Sequence, residues 1–308
     1  MVKIAVVGSF VVGLTLRVPR PPHVGESLVG DSFDFGPGGK GTNQAVAAAR
    51  LGAHVDLLAA VGDDLFADVA FDLFAQEGLP TDHIQRVDGI NTGVGFVTLL
   101  PSGENWIVVD LGANLHVTAQ HVDAFAKRIA AADLVLCQLE VTDDVLARTL
   151  GLARQHGVFT VLNPGPARTL PPSLLQHVDL LTPNQTEARV LLGLPPDDAT
   201  PTDVLARRLI ELGVKQVVVT LGKDGALIVD AHGALTIPAV PVAAVDSTGA
   251  GDAFNAALAV SLAEGKSLNE AVHFARYAGA YAVTKLGVID GLATRAAIQE
   301  FENWGTGD

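Results

Sequence analysis

The sequence alternates short runs of apolar, mostly β-branched residues with segments whose apolar residues recur at helical spacing. Strand-like runs include VDLLAAVG, ADLVLCQLE, VFTVLNP and KQVVVTLG, and the helical segments around them include DLFADVAFDLFAQEG, TDDVLARTLGLARQHG and PTDVLARRLIELG. Strands that are joined through helices pair in parallel by right-handed crossovers, and the helices then cover both faces of the sheet. This alternation predicts an α/β fold with a mainly parallel sheet.

Two segments, at about residues 10–36 and 93–110, depart from this rhythm. Both have strand character with proline and glycine between the strand-like pieces, and neither contains a helical segment. Such segments are typical of antiparallel ribbons, so we expect a small β-sheet lid beside the main sheet. The sequence contains no repeat or low-complexity linker, and residues 1–308 are predicted to form a single domain.

The net charge and the cysteine content limit which partners the protein can bind and which cellular compartment it can occupy. The chain has 34 acidic and 20 basic residues, for a formal net charge of −14. Binding to nucleic acid relies on clustered lysine and arginine, which this sequence lacks, so we expect no nucleic-acid partner. No apolar segment is long enough to cross a bilayer, and the single cysteine, Cys137, cannot form an intramolecular disulfide. These features predict a cytoplasmic protein without a membrane partner.

The stretch DSTGAGDAFNAAL places a carboxylate at the start of an apolar helical run. Gly249, Ala250 and Gly251 have little or no side chain, so an anion could approach the unpaired amides of the helix N-terminus closely. A carboxylate beside such an anion hole suits phosphoryl transfer, because the attacking hydroxyl needs an acceptor for its proton. Asp252 is the candidate acceptor. The alternative interpretation is a glycine turn that Asp252 caps.

The stretch FGPGGKGTNQAVAAARLG is a second candidate site. It does not match a P-loop, because Lys40 is followed by glycine and not by serine or threonine. Its glycines could instead let backbone amides approach a polar ligand, with Asn43 adding a hydrogen-bonding side chain. Thr42 is the expected cap of the helix that follows. The alternative is a tight turn into that helix, without a ligand.

Two further stretches follow strands. TPNQTEA places Asn184 and Glu187 three residues apart, where an oxygen pair could order waters around Mg²⁺, although the same spacing is typical of a capping box. The stretch VVVTLGKDG ends a strand at the position where α/β folds bind nucleotides. The nine histidines show no ligand spacing, so a zinc site is not expected.

Together these stretches resemble the ribokinase-like (PfkB) family of carbohydrate kinases, and within it the ribokinases. The resemblance covers nearly the whole chain, through GGKGTNQAVAA, GENWIVVDLGAN, NPGPAR, TPNQTEA, TLGKDG and DSTGAGDAFNAAL. It implies ATP-dependent phosphorylation of a sugar hydroxyl. It also implies a Rossmann-like three-layer body with a β-sheet lid that forms a homodimer contact.

The resemblance further implies roles for individual residues. Asp252 matches the general base, beside the anion hole formed by Gly249, Ala250 and Gly251. The positions that hold the sugar match Gly39, Lys40, Asn43 and Glu140, together with Asp252. The nucleotide contacts match Asn184, Glu187, Thr220, Gly222 and Gly225. Glu187 also matches a residue that supports Mg²⁺ through water, and the site of an activating K⁺ matches Asp246, Thr248 and Gly287. The implied cofactors are ATP, Mg²⁺ and K⁺.

The chain departs from the family pattern in its first strand. Ribokinases carry a GSxNxD stretch whose Asn and Asp hold sugar hydroxyls, whereas this chain has Val11 and Gly13 at those two positions. The departure predicts weak or no phosphorylation of ribose. A smaller departure is Arg276, where relatives carry a small polar residue near the nucleotide base. Two alternatives to a sugar kinase therefore remain, which are a nucleoside kinase of the same family and a non-catalytic sugar or nucleotide sensor.

Overall fold

A computed structural model describes residues 1–102 and 105–305 of the chain. In chain order its strands are β1 (Lys3–Val7), β2 (Val11–Arg17), β3 (Ser32–Gly38), β4 (His54–Val61), β5 (Ile84–Arg86), β6 (Gly93–Leu99), β7 (Asn105–Asp110), β8 (Leu134–Gln138), β9 (Phe159–Asn163), β10 (Leu180–Leu181), β11 (Gln216–Thr220), β12 (Ala226–Asp230) and β13 (Gly233–Ile237). Gly103 and Glu104, which belong to the GENW stretch and to the predicted lid range, lie outside the described residues.

The helices come mostly between these strands. They are α1 (Lys40–Arg50), α2 (Leu65–Glu77), α3 (Ala119–Ala131), α4 (Asp143–His156), α5 (Pro172–Leu175), α6 (Gln185–Leu191), α7 (Thr202–Glu211), α8 (Ala250–Ala263), α9 (Leu268–Ala282), α10 (Val288–Gly291) and α11 (Arg295–Gly305). Capping residues explain where several of these helices begin and end. Asp64 caps α2 by accepting hydrogen bonds from the amides of Phe66 and Ala67, and Gly78 ends α2 in the left-handed conformation.

The larger sheet has the strand order β13-β12-β11-β10-β9-β8-β1-β4-β5 within the described part of the chain. From β11 to β5 the paired strands run parallel, whereas β12 is antiparallel to both β11 and β13. The α/β fold with a mainly parallel sheet is therefore confirmed. The carboxyl ends of the parallel strands lie along one edge of the sheet, where the candidate residues of several stretches converge.

Two apolar clusters cover the two faces of this sheet. Alternate residues of β4 divide between them, since Leu57 and Ala59 pack with α1, α2, α8 and α9, while Leu58 and Ala60 pack with α3, α4 and α7. This division follows from the two-residue period of a strand. The result is a three-layer body of helices, sheet and helices. Cys137 lies buried in β8, and burial raises the pKa of its thiol to about 12.

The smaller sheet has the strand order β3-β2-β6-β7. Strand β2 pairs antiparallel with β3 and parallel with β6, and β6 pairs antiparallel with β7. Its strands come from the two segments that lack helices. One prediction is wrong at this junction, because α1 begins at Lys40 and Thr42 does not cap it. The Thr42 hydroxyl lies in the helix and donates instead to the carbonyl of Ser9, at 2.8 Å.

Among residues 1–102 and 105–305, no helix has both the length and the apolar character that a membrane span requires.

Candidate active site

Asp252 lies in the first turn of α8, where the helix meets a glycine turn. Gly249 precedes the helix with φ of 80°, and a Cβ atom there would lie 2.6 Å from Cγ1 of Val288. Both observations require glycine. The first amides of a helix have no partner within the helix, and Ala250 and Gly251 leave little side chain in front of them. This is the geometry that an anion hole needs.

Helix α1 holds both oxygens of the Asp252 carboxylate. Asn43 Nδ2 donates to Oδ2 at 2.8 Å, and Gln44 Nε2 donates to Oδ1 at 2.8 Å. Asp252 is only 5% exposed. The carbonyl oxygen of the Asn43 side chain is also buried, and it accepts no hydrogen bond within the described residues. An acceptor is therefore left beside the carboxylate, where a ligand hydroxyl could donate to it.

Glu140 links the end of β8 to the start of α1. Its Oε2 atom accepts a hydrogen bond from the backbone amide of Lys40 at 2.8 Å, and a second from the Ser9 hydroxyl. Burial raises the pKa of this carboxyl group, and the nearby Lys40 ammonium and the two hydrogen bonds offset that rise only in part. The contact fixes the glycine turn before α1 against the body of the protein.

Lys40 brings a cation among three carboxylates. Burial alone would lower its pKa, but the negative charges of Asp252, Glu140 and Glu187 outweigh that effect and raise the pKa. Gly165 lies beneath this cluster, since a Cβ atom there would be 2.6 Å from Lys40 Cε and 2.8 Å from Glu187 Oε1. A side chain at this position would push the lysine and the glutamate apart. The absence of a side chain at Gly165 therefore lets Lys40 and Glu187 lie close together.

Asn184 and Glu187 form a capping box at the start of α6. Asn184 Oδ1 accepts from the Glu187 amide, and Glu187 Oε2 accepts from the Asn184 amide, both at 2.8 Å. The capping box that the sequence allowed as the alternative interpretation of this stretch is therefore formed. Burial raises the pKa of Glu187. Its Oε1 atom lies on the Lys40 side and takes no part in the capping box, so this residue set fits water-mediated support of Mg²⁺.

The candidate nucleotide residues of β11 lie next to the capping box. Thr220 pairs with Asn184 through an isolated bridge, and its amide donates to the carbonyl of Pro183 at 2.9 Å. Gly225 has φ of 102°, and a Cβ atom there would lie 2.0 Å from the Ile237 carbonyl oxygen. Gly222 also has a positive φ, of 59°. The tight turn after β11 thus depends on both glycines.

Asp246 joins the two loops that flank the start of α8. Its side chain is buried, with Oδ1 accepting from the Thr248 amide at 2.9 Å and Oδ2 accepting from the Gly287 amide at 3.2 Å. Gly287 directly precedes Val288, which packs against Gly249. A buried carboxylate surrounded by backbone turns provides oxygen ligands for a hard cation, so these residues fit K⁺.

Comparison with known proteins identifies the family. The sequence matches the model of the "pfkB family carbohydrate kinase" over residues 1–295. The chain belongs to the pfkB family of carbohydrate kinases. This kinase is 38% identical to the ribokinase of Haemophilus influenzae over 97% of both chains, and 37% identical to that of Bacillus subtilis over 97% of this chain and 99% of the other.

Solved structures agree with this family. The kinase superposes on Arabidopsis thaliana ribokinase complexed with ribose and ATP, with a TM-score of 0.88, 30% identity and coverage of 98% of this chain and 99% of the other. It is thus an ATP-dependent carbohydrate kinase, which transfers phosphate to a hydroxyl group. The resemblance inferred from the sequence motifs is confirmed.

The departures from the family pattern lie in β2 and α9. Val11 is buried, and Gly13 lies in register with Gly36 of β3 and with Gly95 of β6. Arg276 of the kinase donates to the carbonyl of Pro238 at 3.0 Å, and its guanidinium lies 4.9 Å from the ring centre of Tyr277. In the described residues Arg276 therefore ties α9 to the chain that follows β13.

Sequence reasoning missed several buried polar residues of the kinase. Gln44, Gln138 and Asn163 lie in quoted stretches, but their roles were not predicted. They form hydrogen bonds that lead to Asp252, from Gln138 to Gln44 at 2.6 Å and from Gln44 to Asn163 at 3.1 Å. Polar residues at strand ends were the available signal, but the sequence does not indicate which of them meet.

Proposed function

We propose that Asp252 is the general base of this kinase and accepts the proton of the substrate hydroxyl. The observation that carries the proposal is the carboxylate held by Asn43 and Gln44 at the first turn of α8. The proton acceptor then lies beside the proposed anion hole at Gly249, Ala250 and Gly251. The hydroxyl loses its proton to Asp252 while the helix amides stabilise the transferred phosphoryl group.

The other candidate residues take roles that match their positions. Gly39, Lys40, Asn43 and Glu140 hold the substrate, and the ammonium of Lys40 also faces the transferred phosphate. The nucleotide lies over Asn184, Thr220, Gly222 and Gly225. Glu187 would hold Mg²⁺ through water, and the ion would supply positive charge to the phosphates. Asp246, Thr248 and Gly287 would hold K⁺ beside the anion hole, where the ion would stabilise the loop. These roles place substrate, nucleotide and cations along one edge of the sheet.

The acceptor alcohol presents an apolar group, rather than a diol, to the smaller sheet. Val11 and Gly13 offer no polar side chain there. A Cβ atom at Gly13 would meet nothing nearer than the Gly36 carbonyl oxygen, at 3.8 Å, and one at Gly36 would meet nothing within 4 Å. A ribose hydroxyl left unpaired in a closed site would cost about 1–3 kcal/mol for each lost partner. We therefore propose a sugar other than ribose as the acceptor.

A nucleoside is the second candidate acceptor. The observation that favours it is the same apolar strip, because a flat heterocycle could lie over Gly13, Gly36 and Gly95. A free nucleoside and a free sugar of equal hydroxyl count would separate the two candidates. The residues around Asp252 favour a kinase over a non-catalytic sensor, since a carboxylate, a helix N-terminus and Lys40 occur together there.

The smaller sheet serves as a lid over the single domain and as a homodimer contact. Alternate residues of its strands expose an apolar face opposite to Gly13, formed by Leu16, Phe33, Phe35, Phe96, Trp106 and Val108. Aromatic side chains in such a patch are typical of an interface. A second copy of the chain, placed with its own lid against this face, would cover it.

A coupled assay of ADP release tests the proposed function. We expect ATP-dependent turnover with at least one alcohol in a panel of pentoses, deoxypentoses, hexoses and nucleosides. Asp252→Asn should keep the fold and ATP binding but lower kcat by roughly 10²-fold or more, the range for a general base. Near-normal turnover of this variant would rule out Asp252 as the base. No turnover of the unmodified protein with any alcohol of the panel would contradict the proposed kinase activity.

A further inference from the structure

Three buried amide side chains lead from the end of β8 to Asp252. Gln138 Nε2 donates to Gln44 Oε1 at 2.6 Å, and Gln44 Nε2 donates both to Asp252 Oδ1 at 2.8 Å and to Asn163 Oδ1 at 3.1 Å. Asn163 Nδ2 in turn donates to the Thr182 carbonyl at 3.0 Å. Gln44 and Gln138 are fully buried. Each hydrogen bond thus runs through the interior, where water does not compete with it.

With Gln138 oriented as it is, these hydrogen bonds allow a single orientation of the Gln44 amide, while the Gln138 oxygen has no hydrogen-bond partner within the described residues. If that amide were flipped, its nitrogen would face the Gln138 nitrogen and its oxygen would face the Asp252 carboxylate. The NH₂ groups of Gln44 and Gln138, which are both donors, would then face each other. The Gln44 oxygen and the Asp252 carboxylate, which are both acceptors, would face each other as well. Asn163 is fixed in the same way, because its own nitrogen is committed to the Thr182 carbonyl. The NH₂ group of Gln44 is therefore held toward Asp252 by neighbours on β8 and β9.

The two oxygens of Asp252 lie in different surroundings. Oδ2 lies beside Asn43, whose own side-chain oxygen has no partner within the described residues. Oδ1 lies beside Gln44, in the fully buried interior. The unused acceptor of Asn43 would give a ligand hydroxyl a second polar partner beside Oδ2. Oδ2 is thus the oxygen that can meet a substrate hydroxyl, and Oδ1 is the oxygen by which the carboxylate is anchored.

We infer that Gln44 is a positioning residue for the proton-transfer step, with Gln138 fixing its orientation. The inference rests on the proposed role of Asp252 as the base. Through Oδ1, Gln44 holds the plane of the carboxylate so that Oδ2 faces the substrate hydroxyl. No part of Gln44 needs to touch the substrate. It acts on catalysis only through Asp252.

Replacement of Gln44 by methionine tests this inference. Methionine has a similar length but can neither donate to Asp252 nor accept from Gln138. With the best substrate of the panel, Gln44→Met should lower kcat by about tenfold or more, because a misplaced catalytic group loses rate, while KM for alcohol and ATP changes little.

The matched control is Thr149→Val in α4. Thr149 is also fully buried and donates one hydrogen bond, to the Val145 carbonyl at 2.8 Å, but nothing joins it to Asp252. This variant should lose thermal stability and keep both kcat and KM. A purely structural role for Gln44 predicts that the two variants behave alike, with a lower melting temperature and unchanged kcat per folded molecule. That result would overturn the inference.

A second variant decides the question if Gln44→Met does not fold. Gln138→Met keeps the contacts of the Gln44 NH₂ group but removes the hydrogen bond to the Gln44 oxygen, so the amide is held less firmly and kcat should fall several-fold with KM retained. Unchanged kcat in this variant would count against the inference. Turnover by the unmodified protein and its loss in Asp252→Asn establish the base separately, so a failure of the Gln44 inference is distinguishable from a failure of the proposed function.

Discussion

At the scale of the residue, Lys40 balances the charge of the site. Its raised pKa keeps it protonated, and its stabilising contribution is present below the ordinary lysine value of 10.5 and is lost as pH rises through the folded-state pKa. Lys40→Met should lower kcat/KM by roughly 10²-fold, because an oriented cation is lost from the transition state. It should also destabilise the protein more at pH 8 than at pH 5, since Glu140 and Glu187, whose pKa values are already raised, become protonated as pH falls.

Urea unfolding at the two pH values measures this difference. Lys127→Met, at an exposed position of α3, is the control and should show little dependence on pH. If Lys40→Met lost the same free energy of unfolding at pH 5 and at pH 8, the proposal that Lys40 balances the charges of Glu140 and Glu187 would be contradicted.

Gly13 gives a second prediction at this scale. The open space above it accommodates a side chain, so Gly13→Asp combined with Val11→Asn should raise kcat/KM for ribose by about tenfold or more if both hydrogen bonds form. Gly13→Ala fills space without offering an acceptor and should bring no gain. Phosphorylation of ribose by the unmodified protein with a sub-millimolar KM would refute the proposal that the acceptor is not ribose.

The sequence was sufficient to predict those site residues whose local pattern has a chemical meaning. Asp252 follows a glycine turn and opens an apolar helix, and Asn43 follows a second glycine turn. Gln44 was not predicted, because its role depends on partners 94 and 208 residues away in the chain. The strand and helix order was predictable from periodicity. The start of α1 was not, since the backbone of Gly39 and Lys40, tied to Glu140, begins the helix before Thr42.

At the scale of the element, the start of α8 depends on the loops before α8 and α10. Asp246 links them through Thr248 and Gly287, so a cation bound there would act on the anion hole from its side. We expect exchange of K⁺ for Na⁺ to reduce kcat more than it reduces ATP affinity. Steady-state kinetics at constant ionic strength, with ATP binding measured by calorimetry, would check this. Equal rates in both salts would exclude a functional K⁺ site at Asp246.

At the scale of the whole molecule, the apolar face of the lid predicts a homodimer. Phe35 and Phe96 both pair with Leu14 of β2 and are more than half exposed. Phe35→Asp with Phe96→Asp should convert a species of twice the 31.9 kDa chain mass into a monomer, because charges in an apolar interface are costly. Sedimentation equilibrium measures the mass. The control is Leu65→Asp with Leu235→Asp, at two other exposed apolar positions, and it should leave the mass unchanged. A monomeric unmodified protein would refute the proposed homodimer.

The parallel pairing of β2 with β6 determines when the lid can assemble during folding. Hairpins β2–β3 and β6–β7 form from neighbouring chain segments, but α1, β4, α2 and β5 separate the two hairpins in sequence. Closing so long a loop costs conformational entropy until those body elements have folded and brought its ends together. We therefore expect the lid to form late on the folding pathway. Until residues 93–99 leave the ribosome, strand β2 of the first hairpin lacks its β6 partner while Phe33 and Phe35 of β3 are exposed, and we expect the nascent chain to be most prone to aggregate in that interval.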